Sequence, residues 1–285
     1  MTIARYHLHI LLVCFGVLVS IPITVWYAVA HAEERQLTVA FLDVGQGDAM
    51  YVESPTGKQI LIDAGAGTGV LRELGDVMPF YDRTIDIVVA THPDQDHIGG
   101  IPFVLDTYEV EVVVRSGFTK DTATYDAVNT AIEEEGAQTV NAVRGMVINL
   151  GDGAHLDVLH PLRSSGGGDA NAASIVARLV YNDAAVMLTG DAPKAIEHHL
   201  SNRDRDKLQS DILKVGHHGS DTSTARVFVG FVDPKFAVIS AGADNRYGHP
   251  HDEVIETLKQ FNIDIRETST GRVVCTTEGR EWECV

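Results

Sequence analysis

The sequence predicts a layered α/β protein behind an apolar N-terminal segment. Three observations carry this. The chain opens, after that segment, with a meander of short alternating strands. Strand-like and helix-like stretches then alternate. Polar, histidine-bearing residues repeatedly follow the carboxyl end of an apolar run, which is where open α/β sheets place their sites. The 285 residues, 45% hydrophobic and 22% charged, suffice for one large core or two small ones.

The first element is directed at a membrane or at export. Arg5 is the only formal charge in residues 1–32, and residues 10–30 carry none. A run of about 20 apolar residues spans a bilayer as a helix, whereas a secretory core is shorter, roughly 7–15 residues. The length favours an uncleaved anchor, although Ala30-His31-Ala32 has the small-x-small form of a cleavage site. The expectation is one transmembrane or signal helix over 1–32 and a globular domain over 33–285. Arg5 on the inner side puts everything after Glu33 outside the cytoplasm.

Residues 37–42 alternate as a strand, 43–48 turn on two glycines, and 49–52 and 59–62 complete the meander at Asp63-Ala64-Gly65. The apolar run 85–90 has the form of a buried strand. A short helix is expected over 101–107, a strand over 111–114 and an amphipathic helix over 123–135, stopped by Gly136. Residues 138–152 show no clear period. Strand 155–160 follows, then the glycine-rich loop 164–168, which with 169–173 is placed to lie over a site. A hairpin over 174–181 and 184–188, turning at Asn182-Asp183, delivers Thr189-Gly190-Asp191. Beyond it come helix 194–200, strand 211–215, helix 222–232, strand 236–240 and a last helix from about 251 to 261. Cys275 and Cys284 flank a two-residue hairpin loop at Gly279-Arg280. Pairing Glu278 with Glu281 sets the cysteines opposite each other in a non-hydrogen-bonded pair, which suits a cross-strand disulfide in an oxidising compartment.

The chemistry concentrates after strand 85–90. His92, Asp94, Asp96 and His97 lie within six residues, and short turns seldom crowd carboxylates unless a cation offsets their repulsion. Two imidazoles and two carboxylates suit zinc or manganese better than calcium. His160, Asp191, His217/His218 and His249/His251 follow later strand ends. Together these are enough donors for two metals with a bridging carboxylate, and hydrolysis is the chemistry of such pairs. Asp43, Asp48 and Asp63 read first as turn-makers, with Asp63 the best placed to hydrogen-bond a metal ligand. A serine nucleophile, Ser220 or Ser174, lacks the Gly-x-Ser-x-Gly elbow.

Six motifs occur in order: Asp43-Val44-Gly45-Gln46-Gly47-Asp48-Ala49, Leu61-Ile62-Asp63-Ala64-Gly65, Thr91-His92-x-Asp94-x-Asp96-His97-x-Gly99-Gly100, Leu188-Thr189-Gly190-Asp191, His217-His218-Gly219-Ser220 and Gly248-His249-Pro250. From residue 37 onward the chain resembles the metallo-β-lactamase-fold hydrolases, in particular the extracytoplasmic domain of the ComEC/Rec2 DNA-uptake proteins. The resemblance implies a four-layer αββα sandwich with a dinuclear site on one edge. His92, Asp94 and His160 would hold one metal, Asp96 and His97 the other, and Asp191 would bridge. His217 is the expected last ligand, with His249 its rival. His218 and His249 are then candidates, with Asp96, for catalytic roles, and Ser220 and Asn245 for donating to substrate oxygens. Asp94 stands where many relatives have histidine, which makes manganese a real alternative to zinc.

Composition bounds the partners. Asp and Glu total 40 against 22 Lys and Arg, giving a formal charge of −18, which opposes sequence-independent binding to a phosphate backbone. Bound divalent cations would still admit a phosphodiester. The leading expectation is an anchored or secreted extracytoplasmic phosphodiesterase or nuclease linked to DNA uptake, with single-stranded DNA a possible substrate and no evident protein partner. The alternatives are a hydrolase of another small ester (phosphorylcholine ester, lactone or thioester) and a non-catalytic module of an uptake or envelope assembly.

Overall fold

The computed structural model describes residues 15–24, 26, 36–163 and 168–285. Met1–Arg35 and Gln36–Val285 are separate compact units. In the first, residues 15–24 are helical, with Phe15, Leu18 and Ile21 exposed. Among the described residues no helix is long and apolar enough to cross a membrane. The rest of the expected 1–32 helix, with Arg5 and Ala30-His31-Ala32, lies outside the described residues, as does most of the glycine-rich loop 164–168.

In the second unit, fifteen strands among the described residues pair into two sheets. The first sheet runs in the order β15 (Trp282–Cys284), β14 (Val273–Thr277), β1 (Leu37–Phe41), β2 (Ala49–Glu53), β3 (Gln59–Ala64), β4 (Thr84–Ala90), β5 (Glu109–Arg115), β6 (Gln138–Asn141). The second runs β13 (Asp264–Glu267), β12 (Phe236–Ile239), β11 (Ile212–Lys214), β10 (Ala184–Leu188), β9 (Val176–Tyr181), β8 (Ala154–His160), β7 (Val147–Gly151). In each sheet one side is antiparallel and the other parallel, meeting at β3 in the first and at β10 in the second.

The period-two side-chain alternation of strands separates the layers. Leu37, Val39 and Phe41 join Met50, Val52 and Ile60 of the first sheet and Leu156, Val158, Leu179 and Val186 of the second in the core between the sheets. The opposite face, with Ala40, Tyr51, Leu61 and Val88, packs against Leu74 of α1 (Gly69–Val77), Val104 of α3 (Ile101–Thr107) and Val128 of α4 (Ala123–Glu135). On the far side Met187, Leu213 and Ile239 pack with Leu200 of α5 (Lys194–Asp204), Phe228 of α6 (Arg226–Val232) and Leu258 of α7 (Asp252–Gln260). The result is two mixed sheets flanked by helices.

Four local results differ from the sequence reading. The aperiodic stretch 138–152 contains β6 and β7, which edge their sheets and leave much of their length exposed, so no apolar alternation marks them. Helix α1 and strand β13 were not expected. The metal-motif loop contains a helical turn, α2 (Gln95–Ile98). The helix expected from Thr222 begins at Arg226, because Thr224 takes φ +61°. There Glu197 of α5 accepts the N–H groups of Thr224 and Ala225 at 2.8 and 2.6 Å, capping α6 from a neighbouring helix. Cys275 and Cys284 are opposite partners of β14 and β15 and form a disulfide, with Cα atoms 4.1 Å apart.

Candidate metal centre

Donors from both sheets meet at the carboxyl ends of β4, β10 and β11. Asp191, buried in the turn after β10, is the hub. His97 Nε2 lies 3.2 Å from its Oδ2, His218 Nε2 3.5 Å, His217 Nε2 3.6 Å and His92 Nε2 3.8 Å. Each of these rings is fixed through its other nitrogen. His97 Nδ1 pairs with Asp63 at 2.8 Å, His218 Nδ1 with the Ser240 carbonyl at 2.8 Å, His217 Nδ1 with Thr222 Oγ1 at 2.9 Å and His92 Nδ1 with Thr91 Oγ1 at 3.1 Å. Hydrogen bonds of this kind set the tautomer and aim Nε2 at a common point. Asp63 therefore holds a cluster histidine in place, and it also accepts the Thr91 N–H and hydroxyl.

The backbone is shaped to allow this convergence. His217 and His218 both adopt left-handed φ, +48° and +54°, a conformation that side-chain-bearing residues enter at a cost of order 1 kcal/mol each. Ser223 Oγ donates to the Gly216 carbonyl at 2.7 Å and helps hold this turn. At Gly47 a Cβ would overlap the Asp96 carbonyl, and at Gly100 it would overlap that of Ala64. Gly47 lets the β1–β2 turn close on the metal-motif loop, and Gly100 lets the start of α3 close on the end of β3.

Electrostatics mark the cluster. Burial alone would depress His97 and His218, but Asp191 with Asp63 holds His97 well above the usual histidine range, and Asp191 with Asp48 raises His218 to about 9. Burial, aided by His97, pushes His92 down to about 3. Burial would raise Asp191, but His97 and His218 overcome it and keep the carboxyl well below its ordinary range. His92 Nε2, His97 Nε2, His218 Nε2 and Asp191 Oδ1 are buried without a hydrogen-bond partner. Unpartnered buried donors and acceptors are expensive, and three such imidazole nitrogens within 3.8 Å of Asp191 Oδ2 fit a divalent cation.

The expected residues do not all meet there. Asp96 Oδ2 is 3.4 Å from His218 Nε2 and belongs to the group. Asp94 pairs with Lys120 at 2.7 Å and still acts on His92 through its charge. His160 bonds the Ala172 carbonyl through Nε2 at 2.9 Å, with Nδ1 buried and unpartnered. Ser220 Oγ sits 3.0 Å from Thr222 Oγ1. Asn245 spends its amide on its own loop, donating to the carbonyls of Gly242 and His249 and accepting from the N–H groups of Tyr247 and His249. The His249 ring lies 5.7 Å from that of His217. Burial and the neighbouring imidazoles push His249 down to about 4, so it is neutral at pH 7.

Two residues join the site that the sequence reading did not place there. Asp48, His97, Asp191 and His218 offer donor atoms within 4.8 Å of one another. Asp48, however, is ion-paired with the wholly buried Lys214 and lies 3.2 Å from His218 Nδ1. That pairing makes it a support beneath the histidines rather than a free ligand. The available signal was Lys214 itself, since a lysine inside the buried run Ile212-Leu213-Lys214-Val215 needs a carboxylate partner.

A paired-sheet α/β sandwich with histidines and aspartates gathered at its strand ends defines a class of metal-dependent hydrolases, and residues 42–243 match the metallo-beta-lactamase superfamily; the chain belongs to it. Among curated proteins it is similar to ComE operon protein 3 of Bacillus subtilis, 34% identical over 248 residues, covering 81% of this chain and 31% of the relative. It is also similar to competence protein ComA of Neisseria gonorrhoeae, 30% identical over 239 residues, covering 82% and 31%, and to recombination protein 2 of Haemophilus influenzae, 29% identical over 275 residues, covering 94% and 31%. The chain thus spans about a third of the length of these relatives. Among solved structures it resembles Igni18, a metallo hydrolase from Ignicoccus hospitalis, with TM-score 0.51 and 16% identity over 87% of this chain and 98% of the other. It also resembles CmlA, a diiron β-hydroxylase from Streptomyces venezuelae, with TM-score 0.55 and 13% identity over 89% and 54%. These last two likenesses are of fold alone.

Proposed function

We propose that the chain is an extracytoplasmic, dinuclear metal-dependent phosphodiesterase. The observation that carries this is the convergence of four histidine Nε2 atoms on Asp191, each ring anchored through its second nitrogen. His92, His97, His217, His218, Asp96 and Asp191 are the residues to hold the ions, with zinc or manganese suited to the donor set. Asp94 and His160 are reserve ligands, the first held by Lys120 and the second by a backbone carbonyl. When bound, the ions would supply Lewis acidity toward a phosphoryl oxygen and acidify the attacking water.

The chain's own groups do the rest. Asp63, Thr222 and the Ser240 carbonyl keep three of the rings from turning. Lys214 neutralises Asp48 beneath them. His249, neutral and beside His217, is placed to hydrogen-bond a substrate oxygen. The competence and recombination names of the curated relatives support a nucleic-acid substrate, and the Cys275–Cys284 bridge supports an oxidising compartment.

The test is hydrolysis of bis-p-nitrophenyl phosphate, single-stranded DNA and a lactone panel by the protein loaded with manganese or zinc, with Asp191→Ala as control. Phosphodiester cleavage lost in the control is expected. Cleavage of lactones alone would refute the reading, and two bound metals without turnover would favour a binding module.

A further inference from the structure

Beside Asp96 lies a cavity of about 410 Å³, lined by Gln46, Ala66, Gln95, Asp96 and the segment from Asp244 to Tyr247. Tyr247 is 49% exposed. Its ring stacks on His249 with centroids 5.7 Å apart and planes 21° from parallel, and His249 stacks in turn toward His218 at 6.4 Å. An aromatic path therefore runs from the metal cluster to the cavity. Arg246 sits 5.0 Å from the Tyr247 ring centroid and donates to its hydroxyl at 2.9 Å. The Asn245 amide ties the loop to itself on both sides of Tyr247, so the ring is presented by a braced segment.

We propose that this cavity is a nucleobase subsite. An unpaired base of a nucleotide phosphodiester takes the place of the exposed Arg246 side chain on the Tyr247 ring, the released guanidinium turns to the adjoining phosphate, and the carboxamides of Gln46 and Gln95 offer donors and acceptors to the base edge. The inference rests on the phosphodiesterase reading and narrows it. A quaternary ammonium such as choline also seeks an aromatic face, but the Arg246 charge beside the ring repels a second cation. An aliphatic lactone has no π-face to lay on the ring. Base–aromatic stacking tolerates any sequence because every base has a π-face, and a base inside a duplex must first leave its stack. With Asp96 and Asp244 on the walls and a net charge of −18, recognition falls to the base rather than to a long backbone.

The experiment measures binding to the full-length, metal-free protein of a tetranucleotide carrying 2-aminopurine, whose fluorescence is quenched by stacking. Wild type should bind and quench. Tyr247→Ala should bind about 10-fold more weakly with little quenching, and Tyr247→Phe should keep both. A tetranucleotide with an abasic site in place of the 2-aminopurine should bind wild type no better than the intact one binds Tyr247→Ala. Equal binding and quenching by Tyr247→Ala and wild type, or equal affinity for the abasic strand, would overturn the subsite. Hydrolysis of bis-p-nitrophenyl phosphate by the metal-loaded wild type separates the two ideas. Turnover with unchanged Tyr247→Ala binding sinks the subsite and leaves the phosphodiesterase. Quenching lost in Tyr247→Ala, without turnover of any phosphodiester, keeps the base site and sinks the activity.

Discussion

Replacing Lys214 with methionine tests whether the floor of the site is built on charge. Lys214 and Asp48 are both wholly buried and face each other. Removing one member of a buried ion pair costs about 3–5 kcal/mol, because the other charge is left unsolvated. His218 Nδ1 at 3.2 Å and His97 Nδ1 at 3.8 Å remain beside Asp48 and recover part of this, so the expected loss is at the low end, about 3 kcal/mol. For a domain of this size that lowers the melting temperature by roughly 6–12 °C. Urea or thermal unfolding of the variant reads the loss directly. The sign with pH is also set. Burial would raise Asp48, but Lys214 and His218 reverse this and hold it below its ordinary value. Its stabilising contribution is therefore present above the unfolded carboxylate pKa and is lost as pH falls through the folded value. Without Lys214 that depression weakens, so the deficit is largest at neutral pH and shrinks on acidification. The double variant Lys214→Met with Asp48→Asn should recover much of the loss. A single variant within 1 kcal/mol of wild type, flagged by a shift of less than about 2 °C, or strict additivity in the double variant, would refute the reasoning.

Three further outcomes are expected. His97 and His218 are protonated near pH 7 without metal, so loading the site should release about two protons and affinity should climb with pH toward about 9; calorimetry in buffers of different ionisation enthalpy reads the count, and no buffer dependence would contradict it. Glu197 is pushed up to about 7 by burial, so the folded state binds a proton there that the unfolded state has lost between about 4.5 and 7; the stability of wild type relative to Glu197→Gln should fall with rising pH across that window, and a difference independent of pH would contradict it. Reducing Cys275–Cys284 opens a loop of about ten residues and should cost about 2–3 kcal/mol; thiol titration of the denatured, unreduced chain should count only Cys14.

The parts of this molecule that were legible in its sequence are those written in side-chain period or in dense donor clusters. β1, β4, β8 and the β9–β10 hairpin bury alternate or continuous apolar residues and announce themselves. α4 does so through its stop at Gly136. β6, β7 and β13 lie at or near sheet edges and carry little apolar pattern, so neighbours, not composition, make them strands. In the site, the clustering of His92, Asp96 and His97 and the positions of Asp191 and His217 after strands were readable. The roles of Asp48 and Lys214 were not, because a turn aspartate and a strand lysine acquire meaning only when the fold sets them face to face. Asp94 was assigned by its place in a motif, while its direction depends on Lys120, 26 residues away.

The hub also has a mechanical meaning. His92, Asp96 and His97 belong to the first sheet's connections, and Asp191, His217 and His218 to the second's, so a cation seated among them would cross-link the two halves of the sandwich at one rim. Chelation would then slacken the seam between the sheets before it loosened either sheet, and amide exchange along that rim would report on metal occupancy even when no substrate is present.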